Sequence, residues 1–175
     1  MKVRQFNLEC NKVIQFALMS DVKNIKGIRE SVLNQTLKCA IVKANLIVDV
    51  FQLLIAANKA VISQALGKLT SKTLYTEVLF NLSLSKNISQ SLVKFGIDDS
   101  VTDVIVILIG ENKSDLKMDN ILSVIDGYHQ DFSQLLKYTN IKLVKQIYKI
   151  CDLELTKSTL LDLIISKIAF KDITS

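Results

Sequence analysis

The sequence predicts an α+β fold, in which a small antiparallel or mixed sheet of three or four strands packs on a helix-rich core. Short apolar runs rich in β-branched residues occur near the N-terminus and at residues 101–109, whereas most other segments repeat apolar residues every three to four positions. The strand-like segments do not alternate regularly with the helical ones, which argues against a doubly wound parallel sheet. The 175 residues are predicted to form a single domain, 1–175.

The first third of the chain predicts a hairpin followed by a helix. Apolar stretches at residues 3–8 and 13–19 are separated by four mostly polar residues, and the second stretch is apolar enough to be a central strand. Ser20 or Asp21 is then expected to cap a helix whose apolar residues recur at helical spacing. Residues 37–48 fit either a strand or the approach to the next helix.

The clearest predicted element is a buried central helix over residues 49–66. It is expected to stop at Gly67, because glycine adopts the left-handed conformation of a helix C-terminal cap at little energetic cost. Nearly every face of this helix is apolar, apart from a stripe through Gln52, Lys59 and Ser63. We therefore expect the helix to lie inside the domain, with only that stripe reaching solvent or a partner.

The rest of the chain predicts one further strand among several helices. A helix is expected over residues 73–84, and Asn87 is expected to cap a shorter one that ends before Gly96. Residues 101–109 form the strongest strand signal, and the segments that follow have helical periodicity. His129 is expected in a loop between two of these later helices.

The composition disfavours an enzyme. The chain has one histidine and five glycines, and neither a phosphate-binding loop nor a Gly-x-Gly-x-x-Gly motif can be assembled. No catalytic, cofactor-binding or metal-binding residues are therefore predicted. No apolar run approaches the ~20 residues that a membrane-spanning helix needs, so no membrane partner is predicted. One alternative stays open, a small-molecule-binding or hydrolytic domain that uses His129 and the carboxylates of the second half.

Charge is distributed unevenly along the chain. Residues 1–96 contain 13 basic and 5 acidic residues, whereas residues 97–175 contain 9 basic and 12 acidic ones. Lysines near the two central helices have only Glu77 as a counter-charge in that region; they are Lys59, Lys68, Lys72, Lys86 and Lys94. Such a patch would contact phosphates with salt-dependent affinity, although ordinary solubility charge is an open alternative.

The order of residues through the middle of the chain is distinctive. It includes Ala56-Ala57-Asn58-Lys59-Ala60-Val61, Leu66-Gly67-Lys68, Phe80-Asn81-Leu82-Ser83 and Lys94-Phe95-Gly96-Ile97. This block closely resembles the TPRKB family, the kinase-binding subunit of the KEOPS complex, in its eukaryotic form. Weaker matches extend the resemblance over essentially the whole chain.

The resemblance implies a non-catalytic role in the cytoplasm and nucleus. Family members bind the small atypical kinase/ATPase subunit of KEOPS, and they contact the other subunits only indirectly. They also help to hold the acceptor end of tRNA while the complex makes threonylcarbamoyladenosine next to the anticodon. The lysines predicted to contact RNA are Lys59, Lys68, Lys72 and Lys94. Lys72 stands where relatives often have arginine, which replaces a bidentate phosphate contact by a point charge.

The surface that binds the kinase is predicted from the last helix of the chain. Leu161, Ile164 and Ile168 recur at helical spacing near the C-terminus, so they form an apolar stripe. We interpret this stripe as the partner-binding surface, and packing in the core is the alternative that remains open.

Overall fold

The computed structural model describes residues 2–173, and its centre is an antiparallel sheet. Within these residues the strands are β1 Arg4–Asn7, β2 Val13–Ser20, β3 Ala40–Lys43, β4 Val104–Gly110 and β5 Tyr128–Gln130. Their order is β1-β2-β4-β3, and β5 pairs with the end of β2 beyond β1. The predicted α+β class is confirmed, and the sheet has one strand more than expected.

Nine helices surround this sheet in the part of the chain that the structure describes. They are α1 Ile25–Leu33, α2 Val50–Ala65, α3 Leu74–Leu82, α4 Ile88–Phe95, α5 Met118–Leu122, α6 Leu135–Tyr138, α7 Ile141–Ile147, α8 Asp152–Leu155 and α9 Leu160–Phe170. Short 3-10 turns lie at Ala44–Leu46, Lys113–Asp115 and Phe132–Gln134. Among residues 2–173, none of the helices combines the length and apolarity needed to cross a membrane.

The sheet has a buried cluster on each face. Helices α2, α3, α7 and α9 cover the face that contains Phe16 and Ile107. Helices α1 and α5 cover the opposite face, which contains Ala17 and Val106. Because side chains alternate along a strand, the almost wholly apolar β2 and β4 supply both clusters. This explains why their sequences read as continuous apolar runs rather than as alternating ones.

The first helix begins later than the sequence predicted. Ser20 is still part of β2, where it pairs with Tyr128, and Asp21 has a φ of 50°. Helix α1 instead starts after Asn24. The side chain of Asn24 donates a hydrogen bond to the carbonyl of Val124 and accepts one from the N–H of Asp126.

The predicted hairpin is confirmed. The ambiguous residues 37–48 contain β3, followed by a 3-10 turn.

Helix α2 has the predicted ends. The Asp49 carboxylate accepts a hydrogen bond of 2.8 Å from the N–H of Phe51, which caps the first turn. Gly67 has a φ of 64°, so the chain leaves the helix through the left-handed conformation that glycine permits. The face of α2 that looks away from the core contains the exposed Phe51, Ile62 and Leu66.

The predicted polar stripe on α2 is wrong at Gln52, which is fully buried. Its amide nitrogen donates to the hydroxyl of Tyr148 at 3.0 Å and to the carbonyl of Leu46 at 3.1 Å. Its amide oxygen accepts from the N–H of Val48 at 3.0 Å. Tyr148 in turn donates to the carbonyl of Leu82 at 2.7 Å, so one buried polar network joins α2, α3 and the end of α7.

Two polar residues of α3 also point inward. The Glu77 carboxylate accepts hydrogen bonds from the N–H of Thr70 at 3.1 Å and from the N–H and hydroxyl of Ser71, both at 2.6 Å. Asn81 donates to the carbonyl of Ala56 in α2 at 3.1 Å. Glu77 therefore holds the loop between α2 and α3, although the sequence made it the one counter-charge to the lysines of this region.

Candidate functional site

A basic cleft of about 620 Å³ lies along one flank of α9. Its walls are Leu84, Lys86, Tyr148, Lys149, Glu154, Leu163, Ser166, Lys167, Phe170 and Lys171. Four lysines therefore line it against one carboxylate. They come from three places in the chain, namely the segment after α3, the segment after α7, and α9 with the residue that follows it. We call this feature the basic cleft.

Lys171 forms the floor of the basic cleft and is only 3% exposed. Its ammonium donates to the carbonyl of Phe80 and lies 3.2 Å from the centre of the Phe80 ring, a cation–π contact. The pKa of Lys171 is lowered to about 8, chiefly by burial and also by the positive charges of Lys59 and Lys86, whereas Asp172 and Glu77 oppose the shift. Lys171 thus helps to hold the end of α9 against α3.

The rim of the basic cleft contains the accessible lysines. Lys167 is 3.4 Å from Glu154, whose pKa is lowered chiefly by the hydrogen bond that its carboxylate accepts from the N–H of Cys151. Lys86 and Lys149 are exposed, and no ion pair of either lies within residues 2–173. The cleft therefore presents positive charge to solvent in a concave surface, which is an arrangement suited to a phosphate group.

The four lysines predicted to contact RNA do not line this cleft, and the structure does not bring them together. Lys59 is half-buried, 2.9 Å from the carboxylate of Asp172 and 2.8 Å from the carbonyl of Ile168, so it holds the end of α9. Lys68 and Lys72 are exposed on the loop between α2 and α3. Lys94 lies on α4 in a separate shallow depression.

The lysines that do line the cleft were only partly visible in the sequence. Lys86 belongs to the predicted patch. Lys149 joins the cleft only through the packing of α7, which the sequence does not indicate. Lys167 and Lys171 are four residues apart, which places them on the same face of a helix. That spacing was the available signal for a basic face on α9.

The predicted partner-binding residues need a correction. Ile164 and Ile168 are 0% exposed and belong to the core that packs against the sheet, so a partner cannot contact them in the folded chain. Leu161 is half-buried. The apolar stripe is the inner face of α9, because apolar residues at helical spacing pack in the core more often than they bind a partner.

An accessible apolar surface lies beside that helix, along the junction of α9 with α2. Helix α9 packs against α2, and Lys59 of α2 pairs with Asp172 just beyond the end of α9. Leu161 and Ile165 are four residues apart, so they share one face of α9 beside the buried Ile164 and Ile168. We define the apolar seam as Phe51, Ile55, Ile62, Leu66, Leu161 and Ile165, all of which are exposed or half-buried.

His129 lies in β5, not in the loop that the sequence indicated, and it pairs with Met19. Burial lowers its pKa, and the charge of Lys2 adds to this effect. His129 lines neither the basic cleft nor the depression beside Lys94. Among residues 2–173 no three His, Cys, Asp or Glu side chains are grouped so that they could hold a metal ion.

A basic cleft and an apolar seam on opposite flanks of one helix are the features of a binding protein. The chain belongs to the family described as kinase binding protein CGI-121, whose profile it matches over residues 19–172. It is 38% identical over 156 residues to the EKC/KEOPS complex subunit TPRKB of Danio rerio, covering 89% of both chains. It is also 35% identical over 154 residues to the EKC/KEOPS complex subunit CGI121 of Yarrowia lipolytica, covering 86% of this chain and 85% of the relative. The resemblance inferred from the sequence is confirmed.

Proposed function

We propose that this protein is a non-catalytic KEOPS subunit, which binds the kinase/ATPase subunit and helps to hold tRNA during threonylcarbamoyladenosine modification next to the anticodon. The observation that carries this proposal is the similarity, over 89% of both chains, to a relative named as a KEOPS subunit, within a family described as kinase binding. In this proposal the acceptor end of the tRNA contacts the protein, the remaining KEOPS subunits contact it indirectly, and it works in the cytoplasm and nucleus.

The apolar seam is the proposed kinase-binding surface. Exposed large hydrophobic side chains that adjoin one another usually mark a protein interface, because water contact with them is unfavourable. Phe51, Ile62 and Leu66 follow the outward face of α2, and Leu161 and Ile165 form a half-buried apolar face on the adjoining helix α9. Leu161 is the one residue of the sequence-based prediction that this surface retains.

Charge placed in the seam should abolish kinase binding. We expect the double variant Phe51→Asp/Ile62→Asp to lose co-purification with the KEOPS kinase subunit, because binding would then bury two carboxylates without partners. The matched control is Leu136→Asp/Leu153→Asp, at two apolar positions that are at least as exposed but lie outside the seam. Thermal unfolding would show that both variants fold. Retention of the kinase by the folded seam variant would contradict this assignment.

The basic cleft is the proposed contact with tRNA phosphates. Its lysines converge on one concave surface, and lysine contacts with phosphates give affinity that falls as the salt concentration rises. Lys59 is a less suitable contact, because the carboxylate of Asp172 and the carbonyl of Ile168 already hold its ammonium. Lys68 and Lys72 remain proposed as secondary contacts on the loop between α2 and α3.

Charge reversal at the rim of the cleft should weaken tRNA binding. We expect Lys86→Glu/Lys149→Glu to reduce affinity by about 10-fold or more at low salt, and to reduce the salt slope by about 0.7–0.9 for each phosphate that the protein no longer neutralises. The control Lys26→Glu/Lys137→Glu has the same change in net charge at exposed lysines outside the cleft. A gel-shift series over salt concentration measures both quantities. Equal affinity of the two variants would refute the cleft as the tRNA contact, and kinase binding should be unaffected in both.

A further inference from the structure

A second cleft, of about 290 Å³, lies at the free edge of the sheet beside β3. Its walls come from α1, from α3 and from the end of α4, and its floor is the start of β3. The lining is mostly aliphatic and includes Val32, Leu33, Cys39, Leu79, Leu92 and Val93. We call it the edge cleft. It shares no residue with the basic cleft or with the apolar seam.

A glycine defines one wall of the edge cleft. Gly96 follows α4 and forms a bridge with Val42, which fixes the end of this helix against the outer side of β3. A Cβ atom at position 96 would lie 2.5 Å from the carbonyl oxygen of Leu92 and 3.3 Å from Leu79. Only glycine allows the backbone at position 96 to lie this close to Leu92 and Leu79. The backbone therefore fixes the position of this wall of the cleft.

The charged groups at the mouth of the edge cleft are already paired. Asp98 lies 2.6 Å from the ammonium of Lys43, and Asp99 lies 3.4 Å from the guanidinium of Arg29. The hydrogen bond from Lys43 is the main reason why the pKa of Asp98 falls to about 2, so the Asp98 carboxylate remains ionised at neutral pH. Burial raises the pKa of the Cys39 thiol to about 12, so the floor stays uncharged. Nothing in the lining favours a charged ligand.

We propose that the edge cleft binds a small, neutral, largely apolar molecule with the dimensions of a fused two-ring aromatic such as indole. An apolar cavity of about 150 Å³ holds one benzene molecule, so a cleft of about 290 Å³ has room for a larger, two-ring aromatic. Leu33 of α1 and Val93 of α4, which are 71% and 76% exposed, also line the cleft and would cover the outer edge of the ligand. Its affinity would come from apolar contact and shape.

Indole itself is a suitable probe, because the chain contains no tryptophan. Its fluorescence anisotropy can therefore be followed in titrations of the full chain without an indole background. We expect saturable binding to the wild-type protein. We expect Val93→Asp to raise the dissociation constant about 10-fold, because it places a carboxylate beside an apolar ligand. Leu153→Asp, at a position that is 72% exposed on α8, should change it less than two-fold.

Three outcomes would overturn the proposal. The first is the absence of saturable binding to the wild-type chain, and the second is equal binding by the folded Val93→Asp and Leu153→Asp variants. The third is displacement of indole by a saturating amount of the KEOPS kinase subunit, which would make the edge cleft part of a protein interface. Because the seam and the basic cleft share no residue with it, loss of kinase or tRNA binding in their variants would leave indole binding intact.

Discussion

Truncating Tyr148 to alanine is expected to lower the free energy of unfolding by about 3–5 kcal/mol, a large fraction of the stability of an ordinary domain. The side chain is fully buried between α2, α3 and α7, and its ring lies 6.2 Å from that of Phe95 in an edge-on arrangement. Removing it leaves a cavity next to the sheet. It also deprives the carbonyl of Leu82 and the amide of Gln52 of their shared partner.

The variant Tyr148→Phe separates the hydrogen bonds from the packing. It keeps the ring, so its expected loss of about 1–3 kcal/mol measures the buried groups that remain without a partner. The matched control is Tyr128→Phe, because Tyr128 is 61% exposed in β5. Urea unfolding followed by circular dichroism measures both variants. Equal stability of Tyr148→Phe and Tyr128→Phe would show that the Gln52–Tyr148 network does not contribute to folding.

Replacing Glu77 by alanine should have the second largest effect, about 3 kcal/mol. Hydrogen bonds to a charged group are stronger than neutral ones, and this carboxylate accepts three of them from Thr70 and Ser71. The loss should be concentrated in the loop between α2 and α3, where the N–H groups of both residues would be released. Amide hydrogen exchange at Thr70 and Ser71 should then accelerate more than exchange in the sheet.

Two comparisons test this interpretation of Glu77. Glu77→Gln keeps one acceptor oxygen, so it should destabilise less than the alanine variant. Glu30→Ala removes an exposed carboxylate from α1 and should change stability by no more than about 0.5 kcal/mol. Unchanged exchange at Thr70 and Ser71 in Glu77→Ala would show that the loop is held by other contacts.

The elements with a strong local signal could be predicted from the sequence. The hairpin, the buried helix with its stop at Gly67 and the cap at Asn87 each depend on neighbouring residues. Strand β5 was missed because its three residues have no distinctive pattern, and it forms by pairing with residues 18–20, more than a hundred positions earlier. Gln52 was assigned to the surface because its partner, Tyr148, is 96 positions away.

The candidate sites were harder to predict for the same physical reason. Ile164 and Ile168 have the spacing of a binding stripe and of a core face, and only the packing of α9 in the folded core decides between these two roles. The basic cleft combines lysines that are up to 85 positions apart, so no local pattern could group Lys86 with Lys171. The family resemblance supplied the expected partners, but it did not locate the surfaces.

Helix α9 is a common wall for two proposed ligands. Leu163 and Lys167 of this helix line the basic cleft, while Leu161 and Ile165 belong to the apolar seam. Its end is fixed by side chains that include Lys59 and the buried Lys171. A ligand that displaces this helix changes both surfaces, and thermodynamic reciprocity requires that each ligand then alter the affinity of the other by the same factor. In the proposed function, kinase binding and tRNA binding would be coupled through α9 if either ligand displaced this helix.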